Sequence, residues 1–428
     1  MTANSRLNQP GLHLTLLFAC ILLGLFLRLA FVQQWNHTHP DTPTRLVGDE
    51  PGYDNTAREL LAGYGFTWPG RVPLYPVWLA VVYQVGDGSL NFAGYAQALL
   101  GVLVIPLTYT LGRRMLGGLT GLLAALFAAI SYVLISQPTV ILSENLYVPV
   151  LLLAMITLWD AVQKPTRRRV ILAGMVLGIA NLIRPTLLFF PFAFILLMWF
   201  VEDWRKAVRH GLIYLTASII VVTPWVVHNY ARYQAIFALQ TSNAILWQGS
   251  PEYYHLIRDE GYTYMQVWGD VLYGPGWQEH DPTSVAGDRY WTQRAIDSIL
   301  SEPITYLRYA AEKVVTFWVG DPNADWNNTF IFNYQALLDI GFPPTSATQY
   351  MIALMLPILA LLAVFVLREQ WRVLLPVFAM LVYFTVLHAA THAEARLSLP
   401  LQPFLLILIA GAVVWLFARQ SVRQDHSL

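Results

Sequence analysis

The segment GDEPGYDNTAREL, residues 48–60, sets Asp49 and Glu50 side by side behind a glycine, with Tyr53 and Ala57 following on one helical face. A carboxylate held near a low-dielectric boundary has a raised proton affinity and can act as a general base toward a hydroxyl or an amine. The same residues also suit a plain helix N-terminus, where acidic side chains are favoured by the helix dipole. Spacing alone leaves both roles open and does not choose between Asp49 and Glu50. A third carboxylate, Glu144, stands in ILSENLY, residues 141–147, with nothing basic beside it in sequence. At membrane depth such a group is costly unless it is paired or functional. The alternative is a loop residue at a helix start capped through Ser143.

Four arginines form the cationic counterpart: Arg28, Arg71 in PGRVPLYP, Arg184 in NLIRPT and Arg396 in HAEARLSLP. The planar guanidinium stays charged and grips phosphate oxygens in pairs. The alternative is snorkelling, with the stem in lipid and the head in interfacial water. That alternative is strong for Arg28 and weaker for Arg184, which sits where Pro185 breaks an apolar run. His388 and His392 lie four apart, with Glu394 close by. They can orient a phosphate or a substrate, or serve as a satisfied pair at a helix end. His37 and His39 read as a wet loop rather than metal ligands. No phosphate-binding glycine loop, GxGxxG or GxSxG occurs.

The elements that carry these residues follow from composition. The 428 residues are 56% hydrophobic and 12% charged, against roughly 25% charged in a soluble domain. One core could not enclose that much apolar surface, whereas a bilayer accepts it as an outer face. The net charge of zero points to no nucleic-acid partner. The lone Cys20 excludes a disulfide framework. Apolar runs near 13–33, 92–112, 117–136, 146–162, 211–227, 348–367, 373–388 and 398–417 fit the roughly 20 residues needed to cross. The stretch 170–201, split at Arg184-Pro185, adds two shorter pieces, for ten crossings. The first run reads as a retained span rather than a cleaved signal.

Lysine and arginine cluster in one set of short loops (Arg113 and Arg114; Arg167, Arg168 and Arg169; Arg205 and Lys206), which marks that side and both termini as cytoplasmic. Three parts follow: an N-terminal bundle, 1–227, whose first outer loop is 34–91; an outer region, 228–347; and C-terminal helices, 348–428. The outer region holds thirteen acidic against six basic residues. Within the loops, 74–86 reads as an interfacial helix. Residues 288–318 read as one or two amphipathic helices, with Ala295, Ile296, Ile299 and Leu300 on one face. The expected class is an all-α polytopic membrane protein with two large outer-side loops.

The run GDEPGYDNTARELLAGYGF followed by RVPLYPVWLA resembles the first outer loop of membrane glycosyltransferases of the GT-C superfamily, in the branch of protein O-mannosyltransferases and lipid A aminoarabinose transferases. SENLY, LGIANLIRPTLLFFP, TPWVVHNYARYQAIFALQTSNAILWQGS and HAEARLSLPLQPFLLILIAG match the same pattern in order. The resemblance implies a polyprenyl-phosphate-linked sugar as donor and a lipid, glycan or protein as acceptor. It implies inverting transfer at the outer face of the cell membrane; the chemistry of that transfer requires no cofactor and leaves room for a divalent cation. It carries the catalytic acidic roles to Asp49, Glu50 and Glu144, and donor-phosphate binding to Arg71, Arg184 and, less directly, Arg396. Tyr53, Tyr75 and His392 are the expected substrate contacts. The rival class is a multi-span transporter or lipid flippase.

Overall fold

The computed structural model describes residues 10–235, 239–242, 244–320 and 346–425. The part of the outer region at 321–345 therefore lies outside the described residues. Among those described, all regular structure is helical. In chain order the helices are α1 (Pro10–Thr38), α2 (Glu50–Leu61), α3 (Leu74–Val85), α4 (Leu90–Gly101), α5 (Val104–Leu116), α6 (Gly118–Ile130), α7 (Tyr132–Ser136), α8 (Glu144–Gln163), α9 (Arg167–Asn181), α10 (Phe190–Trp199) and α11 (Trp204–Tyr233). The outer region adds α12 (Pro251–Arg258), α13 (Tyr264–Gln266), α14 (Val285–Ser301) and α15 (Pro303–Val319). The chain closes with α16 (Ser346–Val366), α17 (Trp371–Ala390) and α18 (Gln402–Asp425).

Each expected apolar run folds as helix, but the count of ten crossings is not reproduced by length and composition. Among the described residues six helical stretches are long and apolar enough to cross, or seven if α6 and the stretch after it, bent by 54°, form one span. For the stretch 170–201 the shortfall has a physical cause. The Arg184-Pro185 break leaves α10 with 10 residues, about 15 Å at 1.5 Å per residue, against roughly 30 Å of hydrocarbon. The break itself is held by hydrogen bonds from side chains and from the α3 backbone. Asn181 Oδ1 accepts from the Leu187 amide at 3.1 Å, the Tyr383 hydroxyl donates to the Thr186 carbonyl at 2.8 Å, and the Leu182 carbonyl accepts from the Leu74 amide at 3.0 Å. Irregular backbone is tolerated at membrane depth only when its polar groups are served in this way.

Arg28 does not snorkel. It is fully buried and donates to the carbonyls of Gly24 (3.0 Å), Ala128 (3.2 Å) and Ala129 (3.4 Å). The last two belong to the C-terminal turn of α6, whose carbonyls lack helical partners because the chain bends there. The charge thus serves a broken helix end inside the bundle. Close packing of α5 on α6 depends on Gly121, where an added Cβ would lie 2.7 Å from the Tyr109 carbonyl oxygen.

The stretch 74–86, read as a helix, is α3. One face of α3, with Tyr75, Leu79 and Tyr83, is buried, while Val77, Val81 and Val85 are exposed. The two amphipathic helices expected near 288–318 are α14 and α15. The apolar face is divided between protein and surroundings. Ala295 is buried beside Trp291, but Ile296 and Leu300 are exposed, so the aromatic Trp247–Trp291 pair, with ring centres 4.7 Å apart, forms this core instead.

Candidate active site

The loop after α1 turns at Gly48, whose φ is +59°, a conformation that glycine adopts without penalty. The turn delivers Asp49 to the N-terminal boundary of α2, where its side chain makes no capping bond. Its carboxylate instead meets two guanidinium groups. Arg71 donates to Oδ1 at 2.9 Å and Arg396 to Oδ2 at 2.8 Å. The side chain remains 44% exposed. Burial pushes the Asp49 carboxyl upward, but Arg71 and Arg396 outweigh it and hold it well below the usual carboxylate range.

Glu50 goes elsewhere. One residue on, it sits about 100° around the helix and turns into the protein, where it is buried. Its carboxylate accepts from the Val47 amide at 3.3 Å and from the Ile141 amide at 3.2 Å, which ties the loop before α2 to the loop before α8. Burial raises its carboxyl from 4.5 to about 7, partly offset by those two amides and by Arg45. Because the folded value lies above the unfolded one, the contribution to stability is whole below about pH 4.5. It declines as pH rises through 7. Glu50→Gln removes that decline. We expect the thermal midpoint of the wild type to fall from pH 5 to pH 8 more steeply than that of the variant, with sugar transfer retained within roughly tenfold. Parallel midpoint curves would reject this placement of Glu50.

Glu144 opens α8 and is buried, paired with Arg184 Nη1 at 2.6 Å. Ser143 makes no capping bond. Its hydroxyl instead accepts from Tyr53 at 3.1 Å and faces Glu144 Oε2 at 3.4 Å. A chain Tyr53–Ser143–Glu144–Arg184 results. Tyr53 also supports Arg71, whose guanidinium lies 4.6 Å from its ring centre and 4.7 Å from that of Trp68. Such stacking holds the planar fork in place while leaving its edge free to bind.

Arg396 comes from a 3-10 turn, Ala395–Leu401, between α17 and α18. Its Nε lies 3.5 Å from Glu394 Oε2, and Glu394 Oε1 pairs with His392 Nε2 at 2.9 Å. A second chain, Arg71–Asp49–Arg396–Glu394–His392, is thereby closed from residues of the first loop and the last. The two chains are near enough to act on each other, since the charge of Arg184 reaches Asp49.

Of the residues expected from sequence, Asp49, Arg71, Arg184, Arg396, Glu144, Tyr53 and His392 gather here. Tyr75 does not join them. It is fully buried, donates to Gln97 at 2.7 Å and packs edge-on against Tyr53, with ring centres 5.0 Å apart. His388 is likewise drawn into the core, stacked on Phe317 at 5.0 Å with Nδ1 facing the His392 carbonyl at 3.1 Å. Sequence reasoning passed over Trp68 and left Glu394 as a neighbour; the WPGR and HAEAR contexts held the only signal. Tyr264 of the outer region, also unforeseen, lies within charge range of Glu394 and Asp49. Among the described residues, no group of three or more His, Cys, Asp or Glu converges as for a metal ion.

Residues 70–228 match the family model described as dolichyl-phosphate-mannose-protein mannosyltransferase. The fold matches the apo Archaeoglobus fulgidus oligosaccharyltransferase with a TM-score of 0.55 at 17% identity, covering 97% of this chain and 52% of that one. It also matches the A. fulgidus oligosaccharyltransferase AglB in complex with an inhibitory peptide and a dolichol-phosphate, with a TM-score of 0.52 at 14% identity, covering 96% and 51%. The chain thus spans about half the length of these structures. No curated protein matches its sequence. The matched segment contains RVPLYP, SENLY and LIRPT, three of the motifs on which the resemblance to GT-C glycosyltransferases rests.

Proposed function

We propose that this protein is a membrane glycosyltransferase of the GT-C type that moves a sugar from a polyprenyl-phosphate donor to a hydroxyl or amine at the outer face of the cell membrane. The observation that carries the reading is the Arg71–Asp49–Arg396 arrangement, in which one half-exposed carboxylate holds two guanidinium groups. This is the pairing needed to grip a phosphate and deprotonate an acceptor side by side. The rival class of transporter or flippase is not favoured.

The chemistry follows from the charges. The acceptor oxygen or nitrogen attacks the anomeric carbon and its proton passes to Asp49. The bond from that carbon to the phosphate oxygen breaks with inversion, and the electron pair leaves on the polyprenyl phosphate. A phosphate monoester is a good leaving group, so stabilising its growing charge with Arg71 and Arg396 matters more than acid help. Arg184, tied to Glu144, adds positive charge at the same wall, and Tyr53 with His392 lines the sugar side.

The resting state bears on the order of events. With both guanidinium groups on Asp49, the carboxylate is a weak base. A donor phosphate competes for those groups, and each one it takes raises the proton affinity of Asp49. Binding of the donor thus prepares the base. The test is to reconstitute the protein in lipid with a panel of radiolabelled polyprenyl-phosphate sugars and follow label into lipid, polysaccharide and protein fractions. We expect label to move from at least one donor. Folded protein that moves label from none overturns the proposal.

A further inference from the structure

Lys313 of α15 is fully buried and has no carboxylate partner among the described residues. Its ammonium donates to two carbonyl oxygens, Gly249 and Thr391, each at 2.8 Å. It lies 5.1 Å from the Tyr306 ring centre and 5.9 Å from that of Tyr254. Burying an ammonium without an opposite charge is expensive, and burial lowers its pKa from 10.5 to about 7. The carbonyl dipoles and ring faces offset only part of that cost.

What it holds is specific. Thr391 is the first residue beyond α17, and His392, Glu394 and Arg396 follow within five positions. The helix that carries Lys313 serves the same end three more times. The Tyr306 hydroxyl donates to the Ala390 carbonyl at 2.6 Å, Trp318 Nε1 donates to the Thr385 hydroxyl at 3.2 Å, and Phe317 stacks on His388. His388 in turn contacts the His392 carbonyl. The carbonyls at a helix C-terminus have no helical partner, and here α15 supplies donors to two of them. The third strand of the joint is equally constrained. A Cβ on Gly249 would lie 1.9 Å from the Thr391 carbonyl oxygen and 3.0 Å from Lys313 Nζ, so no side chain fits there.

We propose that Lys313 is a positioning residue, clasping the outer region to the exit of α17 so that the 391–396 loop presents Arg396 to Asp49 and to the donor phosphate. The inference rests on the role given above to Arg396. It gives α15 a part in the geometry of the site, since α15 sets the register of the loop between α17 and α18. Misplacement of a binding group by about 1 Å can cost on the order of a hundredfold in rate.

The test uses the full chain in lipid, with Lys313→Met, Arg396→Gln and the double variant. Met keeps the length of the stem without the donors. We expect Lys313→Met to lower kcat/KM about 10- to 100-fold, and the double variant to be no worse than Arg396→Gln, because both act through one group. The affinity for undecaprenyl phosphate should fall at least tenfold in Lys313→Met, read independently of transfer. Multiplicative losses, or a lower thermal midpoint with unchanged undecaprenyl phosphate affinity, overturn the proposal. Should Lys313→Met not fold, Tyr306→Phe, which removes one exposed hydroxyl from the same joint, carries the same coupling test. If the wild type transfers no sugar, the functional reading fails by itself. The undecaprenyl phosphate measurement still decides the clasp.

Discussion

Asp49→Asn should lower kcat by roughly 10²–10⁴-fold, the span of a lost general base, while the protein stays folded and its affinity for undecaprenyl phosphate holds or rises. The second half follows from the two ion pairs. On the proposed function, a lipid phosphate competes with Asp49 for Arg71 and Arg396 in the wild type; a neutral amide competes far less. Loss of turnover with gain of phosphate affinity is an unusual combination, and a merely structural role for Asp49 does not produce it. The check is single-turnover transfer together with equilibrium binding of undecaprenyl phosphate in lipid nanodiscs. Turnover within tenfold of wild type would move the base elsewhere, with Glu394 the next carboxylate on the chain of contacts.

Arg396→Gln should have the other large effect, and its signature is a pH profile. A charge-assisted hydrogen bond to phosphate contributes about 1.5–3 kcal/mol, which corresponds to a loss of roughly 10- to 150-fold in donor affinity. The sign of the pH effect follows from Asp49. Arg71 and Arg396 outweigh burial and depress its carboxyl, so the free wild-type protein keeps its base ionised well into acid. Removing Arg396 lets the carboxyl rise toward the ordinary range. The acid limb of kcat/KM, which reports the free protein, should therefore move to higher pH in the variant. In the wild type the acid limb of kcat should lie above that of kcat/KM, because the bound phosphate has drawn the arginines away. Superimposable limbs in wild type and variant would remove Arg396 from the electrostatics of the base. Together the two variants separate grip from proton removal, which the ion-pair geometry alone leaves joined.

Much of this protein was legible before folding was considered. Long apolar runs and a low charge fraction are local properties, so they identify the membrane class and place the helices without tertiary information. Arg184-Pro185 marked a break for the same reason, since proline acts on its own neighbours. Acidic and basic residues at loop positions could likewise be named as candidates, because charge at membrane depth is costly wherever the chain goes.

Partnership was decided only in three dimensions. Asp49 and Arg396 are 347 residues apart, and no spacing rule joins them. Asp49 and Glu50 look equivalent in sequence, yet a rotation of about 100° per helical residue sends one to the guanidinium pair and the other to the Ile141 amide. Tyr75 and His388 carry the right chemistry but are consumed by core contacts. Lys313 reads as one basic residue in an acidic segment, and its burial on the Thr391 and Gly249 carbonyls appears only once α15 has docked on α17. Hydrophobicity and proline act along the chain, where sequence records them. Ion pairs and buried hydrogen bonds act between distant segments, and their energy depends on distances of about 3 Å that packing alone sets.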